Sequence, residues 1–435
     1  MKLFRNIFTS LRRPPYLAGV KPTRAPRPLV ALLAAALLAV ALLAAGCASG
    51  QPDTHDAPTI PKLRRAGDGY AVPSPLPAGR PGSVIAASAT TTSAVLGGAA
   101  RTELLYHSND RTGADVAVSG VVLVPPGTPP AGGWPVVSWG HGTTGVADAC
   151  TPSTTPNLFY NEYAQVARGF LAAGYAVVAT DYLGLGTPGV HSYSVGVDLG
   201  NAMADIVAAA RSVNPALSTT WFGVGHSEGG QAALFASRAA ARHPGLRLAG
   251  TVAIAPSSQL VLALPAITHG DVPADVVYGL YLLAGLSRVD PSVKVADLAG
   301  PAARDQLDLV LNTGCLPEAL DRFRGVDIAS VFDIPDATMS ALSGLLAEVG
   351  EPDRTATAGP LLVVQGDADH DIPPAATAAL VAHLTALGVD VTSHLYPGLD
   401  HDGVLGPSSC DTLAWMAAHG GPAPRPCVPS PTDLS

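Results

Sequence analysis

The sequence predicts an α/β fold: a mostly parallel, doubly wound sheet carrying an inserted helical cap. Three observations lead there. Short apolar runs alternate with helical stretches of roughly ten to fifteen residues, the pattern of βαβ units. One run, Trp221–Gly230 (WFGVGHSEGG), passes through G-x-S-x-G straight into the helix-forming stretch QAALFASRAAARH. Such a strand–turn–helix elbow holds its serine in a strained turn, and glycines two residues either side avoid collision. Between Pro256 and Gly359 the alternation stops, and only Leu- and Ala-rich helical pieces remain.

Taken in order, the chain begins with basic residues (Arg5, Arg12, Arg13, Lys21, Arg24, Arg27) and an uncharged apolar run, Leu29–Ala45. This is a targeting segment and not part of the fold. The run is just short of the roughly 20 residues of a membrane span. It stops at Ala44-Ala45-Gly46-Cys47, which resembles a bacterial lipoprotein cleavage box, although the usual leucine is displaced by one place to Leu43. Residues 1–47 are therefore expected to be a lipoprotein-type signal peptide. Cys47 is the expected lipidation site, and the protein is expected outside the cell or in its envelope, anchored to the membrane. Residues 48–82 lack periodicity and read as a Pro/Gly-rich tether. The folded domain is expected over 83–427, followed by a tail, 428–435.

Composition sets further bounds. Hydrophobic residues make up 48% and charged residues 14%, enough apolar material for a large core. A net charge of −9 argues against a nucleic-acid partner and says little else. Beyond Cys47 there are four cysteines (Cys150, Cys315, Cys410, Cys427), an even set that suits an oxidising compartment. Of the three connectivities, Cys410–Cys427 is favoured, because its short loop would pin the proline-rich tail. There is no C-x-x-C pair to suggest zinc or a dithiol.

The expected strands are Val118–Pro125, Trp134–Trp139, Tyr175–Thr180, the elbow strand at Trp221, Gly250–Ala255, Pro360–Gln365 and Val391–Tyr396. Helices are expected at Tyr163–Gly174, Asn201–Val213 and after the elbow. The cap, 257–359, includes helical pieces Asp275–Leu286, Pro301–Asn312 and Ala337–Val349. The first of these is too apolar for a solvated helix: it either covers an apolar cleft or is buried in the ordinary way against the sheet. In the first case a larger side chain at Ala284 would alter chain-length preference.

An activated serine needs a base and an acid to orient the base, and in elbow proteins they follow in the order Ser, Asp or Glu, His. Ser227 is the candidate nucleophile. His401, in the turn after Val391–Tyr396, is the candidate base, ahead of His370, His383 and His394. The acid is one of Asp367, Asp369 and Asp371, in the turn after Pro360–Gln365. That D-x-D-x-D run lacks the glycine and glutamate of a calcium loop, which have Ile372 and Ala378 in their places. The oxyanion donors are expected to be the amide of Glu228 and that of Thr143, in the glycine-rich loop Gly140–Gly145. His141 and His226 would flank the site.

Together the segments Ser138–Gly145 (SWGHGTTG), Thr180–Gly186 (TDYLGLG), the GHSEGG elbow, the G-x-x-D-x-x-I-P turn and Y-P-G-x-x-H resemble the secretory lipase family of α/β-hydrolases, the lipase A-type triacylglycerol lipases. The likeness spans roughly Leu104 to His419. It implies the α/β-hydrolase fold and, by the spacing from Gly366, Asp369 as the acid. Asp181 and Tyr182 would then order loops beside the pocket. Asp367 would bond turn amides, and Asp371 would cap the following helix. The expected protein is an exported serine ester hydrolase, a lipase or carboxylesterase, acting on acylglycerols or other lipid esters without a cofactor or metal. An acyltransferase or peptidase using the same triad is the alternative, and a non-catalytic binding protein would be expected to have lost a triad member.

Overall fold

The computed structural model describes residues 60–91, 94–270 and 276–423. Within them a nine-stranded sheet carries the fold. Two short strands, β1 (Arg65–Ala66) and β2 (Gly69–Tyr70), form a separate hairpin. The main strands are β3 (Val84–Thr90), β4 (Ala100–Asn109), β5 (Asp115–Val124), β6 (Trp134–Gly140), β7 (Ala176–Thr180), β8 (Leu217–His226), β9 (Arg247–Ile254), β10 (Leu361–Gly366) and β11 (Val391–Tyr396). Their spatial order is β3-β4-β5-β7-β6-β8-β9-β10-β11. From β7 to β11 every pairing is parallel, while β3, β4 and β5 run antiparallel and join through the β5–β7 pair. This is the α/β-hydrolase fold.

The strand period of two decides what each face buries. On β6, Val136 packs in one core with Ala202 and Ala233, whereas Val137 packs in the other with Ala164 and Met416. Val178 and Val177 of β7 divide in the same way. Helices α1 (Asn161–Ala172) and α11 (Ser409–Ala418) therefore cover one face. Helices α2 (Gly196–Val213), α3 (Glu228–Ala239) and α10 (Pro374–Ala386) cover the other. Val136 and Val137 are both fully buried, and each such side chain contributes roughly 1.5–3 kcal/mol relative to exposure.

Between β9 and β10 lies the cap: α4 (Leu260–His269), α5 (Val276–Val289), α6 (Val295–Leu298), α7 (Pro301–Arg304), α8 (Leu316–Phe323) and α9 (Asp336–Val349). It has its own core, including Leu264, Val277, Leu280, Leu283, Val310 and Leu342. Helix α5 is buried nearly all round, which explains its apolar composition. Ala284 sits in this core at 3% exposure and does not line a cleft, so the expected role of that position does not hold.

One further expectation needs correction. Residues 60–82 are not a tether. Leu63 and Tyr70 are buried with Ile85 and Leu105, and Arg65 pairs with Glu103 at 2.7 Å. Tyr70 donates its amide to Gly186 O, and its hydroxyl meets Ser153 Oγ at 2.7 Å. These contacts are all long-range, so no local periodicity announces them. The rest of the expected tether, 48–59, lies outside the described residues, as do the signal segment, Cys47 and the tail. The disulfides accord with the favoured connectivity: Cys150 and Cys315, the pair it leaves, are joined across a separation of 165 residues. Cys410 is also disulfide-bonded, and Cys427, its expected partner, lies outside the described residues.

Candidate active site

Strand β8 ends at His226, and α3 begins at Glu228, so Ser227 alone turns the chain. Its backbone stands at φ 59° and ψ −121°, a conformation costing a non-glycine residue of order 1–3 kcal/mol. The surroundings enforce it: Ser227 N donates to Ile254 O at 2.9 Å, and Ser227 O accepts from Gly230, Gln231 and Ser257 amides at 2.9, 3.1 and 3.1 Å. A Cβ on Gly225 would lie 1.9 Å from Gly229 O, so only glycine lets strand and helix approach here. The Ser227 residue is 9% exposed and lines two cavities, and its hydroxyl has no hydrogen-bond partner among the described residues.

His401 lines both cavities with Ser227. Its Nδ1–H donates to Asp369 Oδ2 at 2.8 Å, which leaves Nε2 as the basic nitrogen. Asp369 is 3% exposed and fully engaged. Oδ2 also accepts from Gln365 Nε2 at 2.8 Å, while Oδ1 accepts the amides of Asp371 and Ile372 at 2.9 and 2.8 Å. Gln365 is in turn held by Thr377 Oγ1, which donates to its Oε1 at 2.6 Å. Burial alone would lower the His401 pKa. The Asp369 hydrogen bond and the charges of Asp369, Asp371 and Asp402 outweigh it and raise the pKa above the ordinary imidazole value.

The other two carboxylates of the turn separate cleanly. Asp367 Oδ1 accepts the Gly398 amide at 2.6 Å, bracing one turn against the other. Asp371 does not cap α10, whose N-cap is Pro373 with no side-chain bond; it stands in the wall of both cavities beside His401. Burial raises its pKa, with further contributions from neighbouring charges.

The loop after β6 comes close to the elbow. A Cβ on Gly142 would sit 3.1 Å from the Ser227 Cβ and 2.4 Å from Tyr163 Oη. Gly142 N donates to Tyr163 Oη at 3.0 Å, so that amide is taken. The amides of Thr143 and Glu228 have no acceptor among the described residues. Thr143 lines the smaller cavity, and its hydroxyl meets the Tyr193 hydroxyl at 2.8 Å. Glu228 offers its amide at the N-terminus of α3, where developing negative charge is stabilised. Its carboxyl is buried against His191 Nε2 and the Ser194 amide, each at 3.4 Å.

His226 flanks His401 and ties the turns together. Tyr163 Oη donates to its Nδ1 at 3.1 Å, and its Nε2–H donates to His401 O at 3.0 Å. Burial, with the neighbouring His401, drives its pKa well down, so the ring is neutral and serves as a spacer. His141 is likewise held neutral by burial, with a pKa near 3. Asp181 accepts from Ser119 Oγ at 2.7 Å and from Ser153 N at 2.8 Å, and burial brings its pKa to about 6. It orders loops, with Tyr182 donating to His141 O at 3.0 Å. The residues the sequence did not mark are Tyr163, Gln365 and Asp371 as a wall residue. Gln365, four places before Asp369 at a strand end, carried the one readable signal among them.

The two cavities differ. One of about 360 Å³ is lined largely by apolar cap and α10 side chains, including Leu262, Ala266, Leu282 and Ala379. The other, about 70 Å³, carries Thr143, Tyr160, Glu162 and Asp402. This arrangement can attack a carbonyl, hold the oxyanion and accommodate an apolar chain.

Comparison with known proteins agrees with the fold. The family described as Serine aminopeptidase, S33 (Hydrolase_4) matches residues 159–406. A Mycolicibacterium smegmatis (strain ATCC 700084 / mc(2)155) protein named Monoacylglycerol lipase is 29% identical over 292 residues, covering 63% of this chain and 93% of that relative. Among solved structures, Candida antarctica lipase A in its closed state superposes with a TM-score of 0.66 at 17% identity, covering 81% of this chain and 85% of that one. A ligand-bound form of the rice cell wall degrading esterase LipA from Xanthomonas oryzae gives 0.62 at 18% identity, covering 79% and 97%.

Proposed function

The chain belongs to the serine aminopeptidase S33 family of hydrolases, and from that premise we propose that it is a serine ester hydrolase acting on acylglycerols or other lipid esters. The observation that carries the reading is the buried Asp369–His401 pair, opening with Ser227 onto an apolar cavity of about 360 Å³. Ser227 Oγ attacks the ester carbonyl while His401 Nε2 takes its proton. Asp369 stabilises the resulting imidazolium, and the amides of Thr143 and Glu228 hold the oxyanion. His401 then delivers the proton to the leaving alcohol, and water repeats the sequence to release the acid. The relatives named for lipase and esterase activity support an ester, rather than a peptide, as substrate.

The test is mass spectrometry of the enzyme quenched during turnover of a p-nitrophenyl ester series, run beside an emulsified triglyceride. An acyl adduct on the Ser227 peptide, absent from Ser227→Ala, is expected. Turnover without any adduct would sink the mechanism. Excess alcohol in the same assay, with products resolved, separates acyl transfer from hydrolysis.

The leader composition supports a second element of the proposal: export, with the mature chain beginning at an acylated Cys47. Intact mass of the membrane fraction tests it, and a mature N-terminus elsewhere would refute it.

A further inference from the structure

Ser227, His401, Asp371 and Tyr278 are shared by the two cavities. The smaller one extends toward the oxyanion loop, where Thr143 joins its wall. Three carboxylates line it, Glu162, Asp371 and Asp402, and no Lys or Arg does. His226 is held neutral by burial, and His401 must be neutral to act as base. Ser227, a residue 9% exposed whose hydroxyl has no hydrogen-bond partner among the described residues, lines this acidic space as well as the apolar one.

An ester has two arms, and the reacting carbonyl must lie between Ser227 Oγ and the two oxyanion amides. The apolar cavity suits the acyl arm, leaving the acidic cavity for the alcohol arm. We propose, on the basis of the ester-hydrolase reading, that the small cavity is the leaving-alcohol subsite. Its carboxylates select an uncharged or cationic alcohol bearing hydrogen-bond donors and reject an anionic one. Ionised carboxylates only accept hydrogen bonds, so hydroxyl or ammonium groups satisfy them. A phosphate-bearing alcohol would bring like charge into a partly desolvated space with no Lys or Arg to compensate. In the step itself the ester C–O bond breaks as the Ser227 Oγ–acyl bond forms. The serine proton passes through His401 to the departing alkoxide, which leaves as the neutral alcohol.

The test compares kcat/KM of the full-length enzyme for octanoyl esters of glycerol, choline and glycerol 3-phosphate, each below its aggregation concentration and at low salt. The glycerol and choline esters are expected to exceed the glycerol 3-phosphate ester by about tenfold or more, a gap that salt narrows. A choline ester ahead of the glycerol ester assigns the selection to charge, and the reverse order assigns it to hydroxyl donors. Either order supports the subsite. Glu162 and Asp402 are exposed, so Glu162→Gln/Asp402→Asn is expected to fold normally. At alkaline pH it should shrink the phosphate gap by about threefold or more. Equal kcat/KM for the glycerol and glycerol 3-phosphate esters, or a gap unchanged in the double variant, overturns the inference and leaves ester hydrolysis standing. Failure to cleave any of the esters refutes the ester-hydrolase reading and this inference with it.

Discussion

Replacing Asp369 with asparagine removes one charge and one acceptor at the most constrained point of the site. Oδ1 must still accept the amides of Asp371 and Ile372. The new NH2 therefore takes the place of Oδ2, facing His401 Nδ1 and Gln365 Nε2, both of which are donors in the native chain. His401 can meet that NH2 only as an acceptor, which moves its proton to Nε2 and disables the base. The lost charge adds to this. A carboxylate roughly 4 Å from the imidazolium, at an effective dielectric of about 20, stabilises it by about 4 kcal/mol. At 1.36 kcal/mol per decade that is about 10³ in rate, and the wrong tautomer brings the expected loss in kcat to between about 10³ and 10⁴. Asp367→Asn disturbs one turn bond, and Asp371→Asn disturbs a wall residue, so each should cost about tenfold or less. The assay is kcat on a soluble p-nitrophenyl ester, with circular dichroism as the folding control. A larger loss from Asp367→Asn or Asp371→Asn than from Asp369→Asn would refute the assignment of the acid.

Other outcomes follow from the same geometry. Because the folded pKa of His401 is raised, the base stays protonated to a higher pH than a free imidazole. The acid limb of kcat/KM should thus fall above pH 6.5, and Asp402→Asn should move it downward; a limb unmoved or moved upward contradicts the electrostatic account. Ala266→Trp, in the apolar cavity wall, should shift the ester optimum to shorter chains, whereas Ala284→Trp should lower the melting temperature without shifting it; identical chain-length profiles for Ala266→Trp and wild type would count against the acyl assignment. Cys150→Ser/Cys315→Ser opens a closure of 165 residues, worth up to about 5 kcal/mol in the chain-entropy relation, and should lower the unfolding midpoint in urea. Gly225→Ala places a methyl 1.9 Å from Gly229 O and should abolish activity and reduce soluble yield; an active, stable variant would show that the elbow can relax.

What the sequence revealed and what it hid divide along a physical line. The elbow was readable because a strand, a tight turn and a helix each leave a local pattern, and Ser227 stands where all three meet. The parallel strands β6 to β11 were readable because burial on both faces makes them continuous apolar runs. Strand β4 was not, because Arg101 and Glu103 interrupt it. Both are buried, and Arg101 donates to Ser153 O at 2.5 Å, a partner fifty-two positions away. Asp369 could be singled out from its neighbours only by its place just past the strand end and by family spacing. The reasons it differs from Asp367 and Asp371 are the carboxylate's four partners, which alternation along the turn does not reveal. The same holds for Tyr163 and His226, whose hydrogen bonds run from one loop to another.

The segment 60–63 has a consequence for how the protein behaves among other copies of itself. β3 is the last strand of the sheet on its side, and a bare edge offers its unpaired N–H and C=O groups to any other strand. Here Lys62 bridges Ala87 in parallel, Leu63 N donates to Ala87 O at 3.3 Å, and Ala87 N donates to Pro61 O at 2.9 Å. Pro61 has no N–H to pass the ladder outward, and Lys62 puts a charge where a docking strand would lie. The stretch that composition marks as a tether thus works as a selvedge, finishing the woven margin so that it does not fray into its neighbours. A chain trimmed to begin at Ser83 would keep every residue assigned to catalysis and still be expected to self-associate through β3.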